Sequence, residues 1–135
     1  MRHFLGYLFV CFVCSCTNDS NEEPIPASAA KLTGVWELTA TRISPGGAVS
    51  WTPTTSIDIL TFQSDGSFLW ESEFLPDGAL SGSFTADENL ITLKSGSDDE
   101  SEIIQRFGYQ LTSNELILNG VTCIEECSFR YRRQG

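Results

Sequence analysis

From Lys31 onward the chain breaks into short runs in which apolar and polar residues alternate with a period of two, separated by turn-forming residues at close and fairly regular spacing. That period places successive side chains on opposite faces of an extended strand, so the pattern predicts an antiparallel meander. The first run, residues 34–43, sets Trp36, Leu38 and Ala40 on one face and Glu37, Thr39 and Thr41 on the other. A weak run around Val49 and Trp51 follows Pro45-Gly46-Gly47. Residues 57–63 turn at Ser64-Asp65-Gly66 and return as 67–74, with Phe68, Trp70 and Phe74 sharing a face. Pro76-Asp77-Gly78 leads into 80–85, and Asp87-Glu88-Asn89 into 90–94. Beyond the acidic loop Ser97-Asp98-Asp99-Glu100 comes a strand carrying Ile103, Phe107, Tyr109 and Leu111 on one side and Arg106, Gly108 and Gln110 on the other. Ser113-Asn114-Glu115 turns into 116–121, and 128–133 closes the chain with Phe129 and Tyr131 alternating against Arg130 and Arg132. No ten-residue stretch carries helical periodicity.

Eight strands and one weak one, each with a single apolar face, must close into a barrel or stack as a sandwich, and closure alone removes the aggregation-prone edges. Short sequential turns favour closure. The expected fold is all-β, an antiparallel up-and-down meander closing into a small eight-stranded barrel.

At 135 residues there is room for one such core, assigned to residues 31–135. The segment before it reads differently. Met1-Arg2-His3 opens an uncharged apolar run from Phe4 to Val13, too short for the roughly 20 residues a membrane-spanning helix needs. It has the form of a signal peptide over residues 1–15. Residues 16–30 begin polar, acidic and proline-broken, as in Asn21-Glu22-Glu23-Pro24-Ile25-Pro26, and are expected to form a flexible tether. Cleavage before Cys16 would leave Cys123 and Cys127 as the free pair, an even number in an oxidising compartment, expected to form a structural disulfide.

Charge narrows the partners. The formal net charge of −10 repels phosphate backbones and anionic headgroups, so no nucleic-acid partner is expected. The only histidine, His3, lies in the leader, which removes Ser-His-Asp and Cys-His catalysis and histidine metal sites from the exported form. The acidic loop lacks the Asp-x-Asp-x-Asp-Gly spacing of a dedicated calcium site, and no glycine loop suited to cradling phosphate is present. No metal and no cofactor are therefore expected. Carboxylates remain as acid–base pairs, notably Glu71 with Glu73 and the run Asp98-Asp99-Glu100, on which an envelope hydrolase could be built, the third of three functional readings.

Two resemblances add to this. Val13-Cys14-Ser15-Cys16 resembles the lipobox of bacterial lipoproteins, which implies lipid on Cys16, a membrane anchor, and a place on the outer membrane facing the periplasm or the cell surface. A single acyl chain holds a protein only marginally; the lipoprotein family carries three. The acid-rich residues behind Cys16 also resemble the surface-export signal of some Gram-negative lipoproteins. The remainder, from about Leu32 to Arg133, resembles small bacterial lipocalin-like lipoproteins: Gly34-Val35-Trp36 is similar to the lipocalin Gly-x-Trp signature, and Leu60-Thr61-Phe62-Gln63-Ser64-Asp65-Gly66-Ser67-Phe68 to the second hairpin. Gly82-Ser83-Phe84, Asn114-Glu115-Leu116-Ile117-Leu118 and Tyr131-Arg132-Arg133 fall in matching order.

The lipocalin resemblance implies that Trp36, beside Gly34, packs at the closed end of the barrel beneath a basic residue of the last strand, either Arg130 or Arg132. It also implies a non-enzymatic binding module for a small apolar or amphipathic ligand. Trp70, Phe84, Phe107 and Tyr109 all point inward by parity, and they line either a ligand pocket or simply the core. The competing function is an accessory lipoprotein that joins an envelope protein partner through barrel exterior and loops.

Overall fold

A computed structural model describes residues 27–96 and 102–135. A six-residue helix, α1 (Ala27–Leu32), precedes nine strands: β1 (Gly34–Ile43), β2 (Thr52–Pro53), β3 (Asp58–Phe62), β4 (Ser67–Ser72), β5 (Ala79–Ala86), β6 (Leu90–Ser95), β7 (Ile103–Leu111), β8 (Glu115–Gly120) and β9 (Cys127–Arg133). Every neighbouring pair is antiparallel, and β1 pairs with both β3 and β9. Eight strands thus close a barrel, as the alternation predicts, and the two-residue β2 lies alongside β1 as an appendage.

Short polar turns enforce the meander. In the β3–β4 hairpin Asp65 accepts hydrogen bonds from the backbone N–H and hydroxyl of Ser67. These bonds favour the charged carboxylate and hold its pKa below the usual value. Gly66 supplies the left-handed backbone (φ 84°) that the turn requires. Asp87 does the same work between β5 and β6, accepting from the N–H groups of Asn89 and Leu90. At Gly82 a β-carbon would overlap the carbonyl of Lys94; only glycine lets β5 approach β6 so closely.

Alternate residues of the eight strands fill the interior. Trp36, Leu38, Leu60, Phe62, Phe68, Phe84, Ile91, Leu93, Leu116, Leu118 and Tyr131 form one buried cluster, with Phe62 and Phe84 rings 4.6 Å apart. An eight-stranded barrel is just wide enough for side chains to fill it or for one small ligand. Here side chains fill the half of the barrel nearest α1.

Four features differ from the sequence reading. First, α1 occupies the end of the segment read as tether, and it buries Ala29 and Leu32 against the barrel. Six residues are too short to register as helical periodicity, and the helix exists through its packing. Second, the β1–β9 register shifts between Leu38 and Ala40, a bulge that exchanges inward and outward parity. Ala40 therefore lies opposite Arg130 and Pro53, buried on the outer wall and absent from the core cluster. Third, the weak strand falls at Thr52–Pro53. Trp51, just before it, is clasped against the wall between the guanidinium groups of Arg42 and Arg130, 4.7 and 4.1 Å from its ring centre. Fourth, β4 stops at Ser72, leaving Phe74 exposed in the following turn.

Candidate ligand cavity at the mouth of the barrel

The antiparallel order gives the barrel two unlike ends. At one, the closed end, β1 begins and β9 finishes beside α1. At the other, the mouth, the β1–β3, β4–β5 and β8–β9 connections gather.

The closed end is sealed by one arginine. Arg133 lies 4.1 Å over the Trp36 ring and donates to three backbone carbonyls, those of Ser113 (2.9 Å), Thr33 (2.6 Å) and Lys31 (2.8 Å). Its charge also meets the C-terminal end of α1, where carbonyls lack helical partners. Trp36 is fully buried and donates its indole N–H to Leu32 (2.8 Å). The covering residue is thus Arg133, a correction to Arg130 and Arg132. Residues 129, 131 and 133 share the inward parity of Tyr131, whereas Arg130 turns outward onto Trp51 and Arg132 is exposed. Gly34 completes the arrangement, because with φ at 138° a β-carbon there would stand 2.5 Å from the Arg133 guanidinium. The Gly-x-Trp tripeptide is therefore explained physically: glycine clears the path by which the arginine reaches the tryptophan.

Toward the mouth the interior becomes polar and then hollow. Asp58, 4% exposed, accepts from the Tyr131 hydroxyl (2.9 Å) and the Trp70 indole N–H (3.0 Å) through the same oxygen. Burial, followed by the Asp58 charge, pushes the Tyr131 pKa well above its ordinary 10.0. This trio forms a floor. Above it lies a cavity of about 310 Å³ lined by Trp70, Gln105, Phe107, Phe129, Gly120, Ile104, Arg106, Thr122 and the Cys123–Cys127 disulfide, whose Cα atoms are 6.1 Å apart. The rings of Trp70 and Phe107 meet edge to face at 6.1 Å. Gly120 is needed where it stands, since a β-carbon would collide with the sulfur of Cys127 and crowd that of Cys123.

The four aromatic candidates therefore separate. Trp70 and Phe107 line the mouth cavity. Phe84 is buried against Phe62 in the core, and Tyr109 lies toward the closed end, donating to the Asp87 carbonyl and lining a second hollow of about 580 Å³ with Ser28, Lys31, Glu88, Gln110 and Leu111. For Phe84 the core alternative holds. Gln105 and Phe129 were not singled out from sequence. The signal for Gln105 was available as a polar residue at inward parity two places before Phe107. Glu71 and Glu73 are both exposed, and among the described residues no second functional group is brought together with them. Cys16, Asp98 and Asp99 lie outside the described residues.

The rim around the cavity is apolar and acidic. Among the described residues, the exposed large apolar side chains other than Val35 are Ile43, Ile57, Phe74, Ile103, Ile104, Val121 and Ile124, all at mouth-end strand termini or connections. Glu73, Asp77, Glu102, Glu125 and Glu126 stand among them; the described mouth connections contain no lysine or arginine, but Glu126 pairs with Arg42 of β1 and Glu102 with Lys94 of β6 (3.8 Å).

Comparison with known proteins finds the same fold. No family model matches the sequence, and no curated protein does. Solved structures match by shape. A protein from Bacteroides eggerthii DSM 20697 aligns over 76% of this chain and 99% of its own, with a TM-score of 0.54 and 17% identity. A lipocalin-like protein from Bacteroides uniformis ATCC 8492 aligns over 77% and 99%, with a TM-score of 0.53 and 18% identity. LTBP1, solved in complex with leukotriene C4, aligns over 83% and 75%, with a TM-score of 0.51 and 14% identity. The chain is thus similar to lipocalin-like proteins in fold, an eight-stranded antiparallel closed barrel.

Proposed function

We propose that this protein is a lipid-anchored binding module of the bacterial envelope that holds one small apolar or amphipathic molecule in the mouth cavity. The observation that carries the reading is the cavity itself, open at one barrel end and walled by Trp70, Phe107 and Phe129. An apolar pocket with a few convergent polar groups is the usual form of a small-molecule site. Its likeness in fold to a leukotriene-binding barrel agrees with a hydrophobic ligand. The anchor rests on the leader and Cys16, with the chain entering the barrel at the sealed end through α1.

Native mass spectrometry of protein purified from its own envelope is expected to show a retained small molecule of low polarity. A consistently empty barrel that also fails to bind apolar fluorescent probes would remove the reading. For the anchor, Cys16→Ser is expected to shift the protein from the membrane to the soluble fraction.

The rim supports a second reading, in which the mouth docks a protein partner. Its acidic residues disfavour anionic lipid and call for an apolar surface with a basic border. Photocrosslinkers at Ile57 and Ile124 in intact cells should then capture one and the same protein, and one at Val35 should not. Recovery of monomer alone from the rim positions rejects it.

A further inference from the structure

Within the cavity one polar group is left over. Gln105 opposes the inward, buried Leu93 across the β6–β7 ladder, so its side chain shares the interior face. Its Oε1 is buried and has no hydrogen-bond partner among the described residues. Leaving a buried acceptor unpaired destabilises a fold, whereas an apolar side chain of similar volume would not. The other buried polar groups nearby are satisfied: Asp58 by Tyr131 and Trp70, and Ser95 by donating to the Ser81 carbonyl. Gln105 is the exception, and it lines the cavity. Its terminal torsion is soft, so a small rotation presents the oxygen to an occupant.

Volume and shape restrict that occupant further. About 310 Å³ lies at the bottom of the roughly 300–1,000 Å³ range of small-molecule sites. The Asp58–Tyr131–Trp70 floor and the filled lower barrel leave no depth for a long acyl chain. Aromatic walls favour a flat face.

We propose that the mouth cavity takes a compact, planar, largely apolar molecule bearing a hydrogen-bond donor, a hydroxyl or an amide N–H, and that Gln105 accepts from that donor. This rests on the cavity being a ligand site, and it commits to a ligand class that the fold alone does not specify.

The test uses an isosteric pair of probes, 2-naphthol and 2-methylnaphthalene, titrated into the wild-type protein, Gln105→Leu and Phe107→Ala and followed by tryptophan fluorescence. The methyl probe partitions more strongly out of water, so the informative quantity is the affinity ratio of naphthol to methylnaphthalene. That ratio is expected to fall about tenfold from wild type to Gln105→Leu, while the methyl probe binds equally well or better. Thermal unfolding gives the companion readout: Gln105→Leu should leave the melting temperature unchanged or raise it. An unchanged ratio with both probes bound overturns the role of Gln105 but leaves the cavity as a site. Failure of both probes to bind, or binding indifferent to Phe107→Ala, overturns the site itself. A fall in melting temperature for Gln105→Leu would show that the glutamine is structural and overturn the assignment.

Discussion

The two ends of this barrel are built from opposite materials. At the closed end every polar group on the path of Arg133 is paired, the apolar groups are buried, and backbone, helix and strand are tied through one guanidinium. At the mouth, isoleucines and phenylalanine stand in water, a glutamine oxygen lacks a partner among the described residues, and a disulfide closes a short loop. A fold gains little from such a rim, and a monomer has no need of it. The contrast shows where stability is concentrated and where the surface has been left free for something else. It resembles the general division in which rigid scaffold and low-stability functional regions occupy different parts of one domain.

The sharpest way to break that contrast is to remove its keystone. Arg133→Ala deletes three charge-assisted hydrogen bonds and a cation–π contact over Trp36, and it strands the carbonyls at the end of α1. We expect a loss of about 3 kcal/mol in urea unfolding. Arg133→Lys should recover only a minor part, because an ammonium cannot serve three carbonyls and an indole face in one plane. A loss as small as that of an exposed arginine would mean the closed end is not the stabilising end.

Between the two regions sits the Asp58 trio, where a smaller effect carries a pH signature. Tyr131→Phe removes one of two donors to a buried carboxylate and is expected to cost about 1–2 kcal/mol near neutrality. The wild-type tyrosine has a folded pKa above the unfolded value of 10.0. Its contribution is therefore complete below about pH 10 and lost as pH rises from there through the folded-state value, where the unfolded chain releases the proton more readily. Urea midpoints at about pH 8 and about pH 11 should converge between wild type and Tyr131→Phe. A gap that stays constant over that interval would deny the linkage.

Strand order and barrel closure were legible because period-two alternation reports which face a residue occupies. What alternation does not report is height along the barrel. Trp70, Phe84, Phe107 and Tyr109 share inward parity, yet only Trp70 and Phe107 reach the cavity, because strand tilt and register set the depth of each. Ala40 escaped for a related reason: one inserted residue at the bulge reverses parity, and composition gives no sign of it. Arg133 and Gln105 are a different case. Parity already pointed both inward, but a charged or polar residue at an inward position reads as noise until the partners that receive it, or the lack of them, become visible. Helix α1 owes its existence to Leu32 and Ala29 meeting the barrel, information held in tertiary contacts.

The smallest expected effect lies at the mouth, and its smallness is the point. Ile57, Phe74 and Ile124 are 66%, 71% and 102% exposed, so replacing them with serine removes almost no buried area. Each change should alter unfolding free energy by less than about 0.5 kcal/mol in either direction, against several times that for Arg133 at the other end. The triple variant should, however, lose whatever the rim provides: weaker retention on an apolar matrix and, if the mouth docks a partner, loss of the crosslinks from neighbouring rim positions. If the three serines together destabilised the fold by 2 kcal/mol or more, the rim would belong to the core, and the division between a sealed, stabilising end and an open, receptive one would collapse.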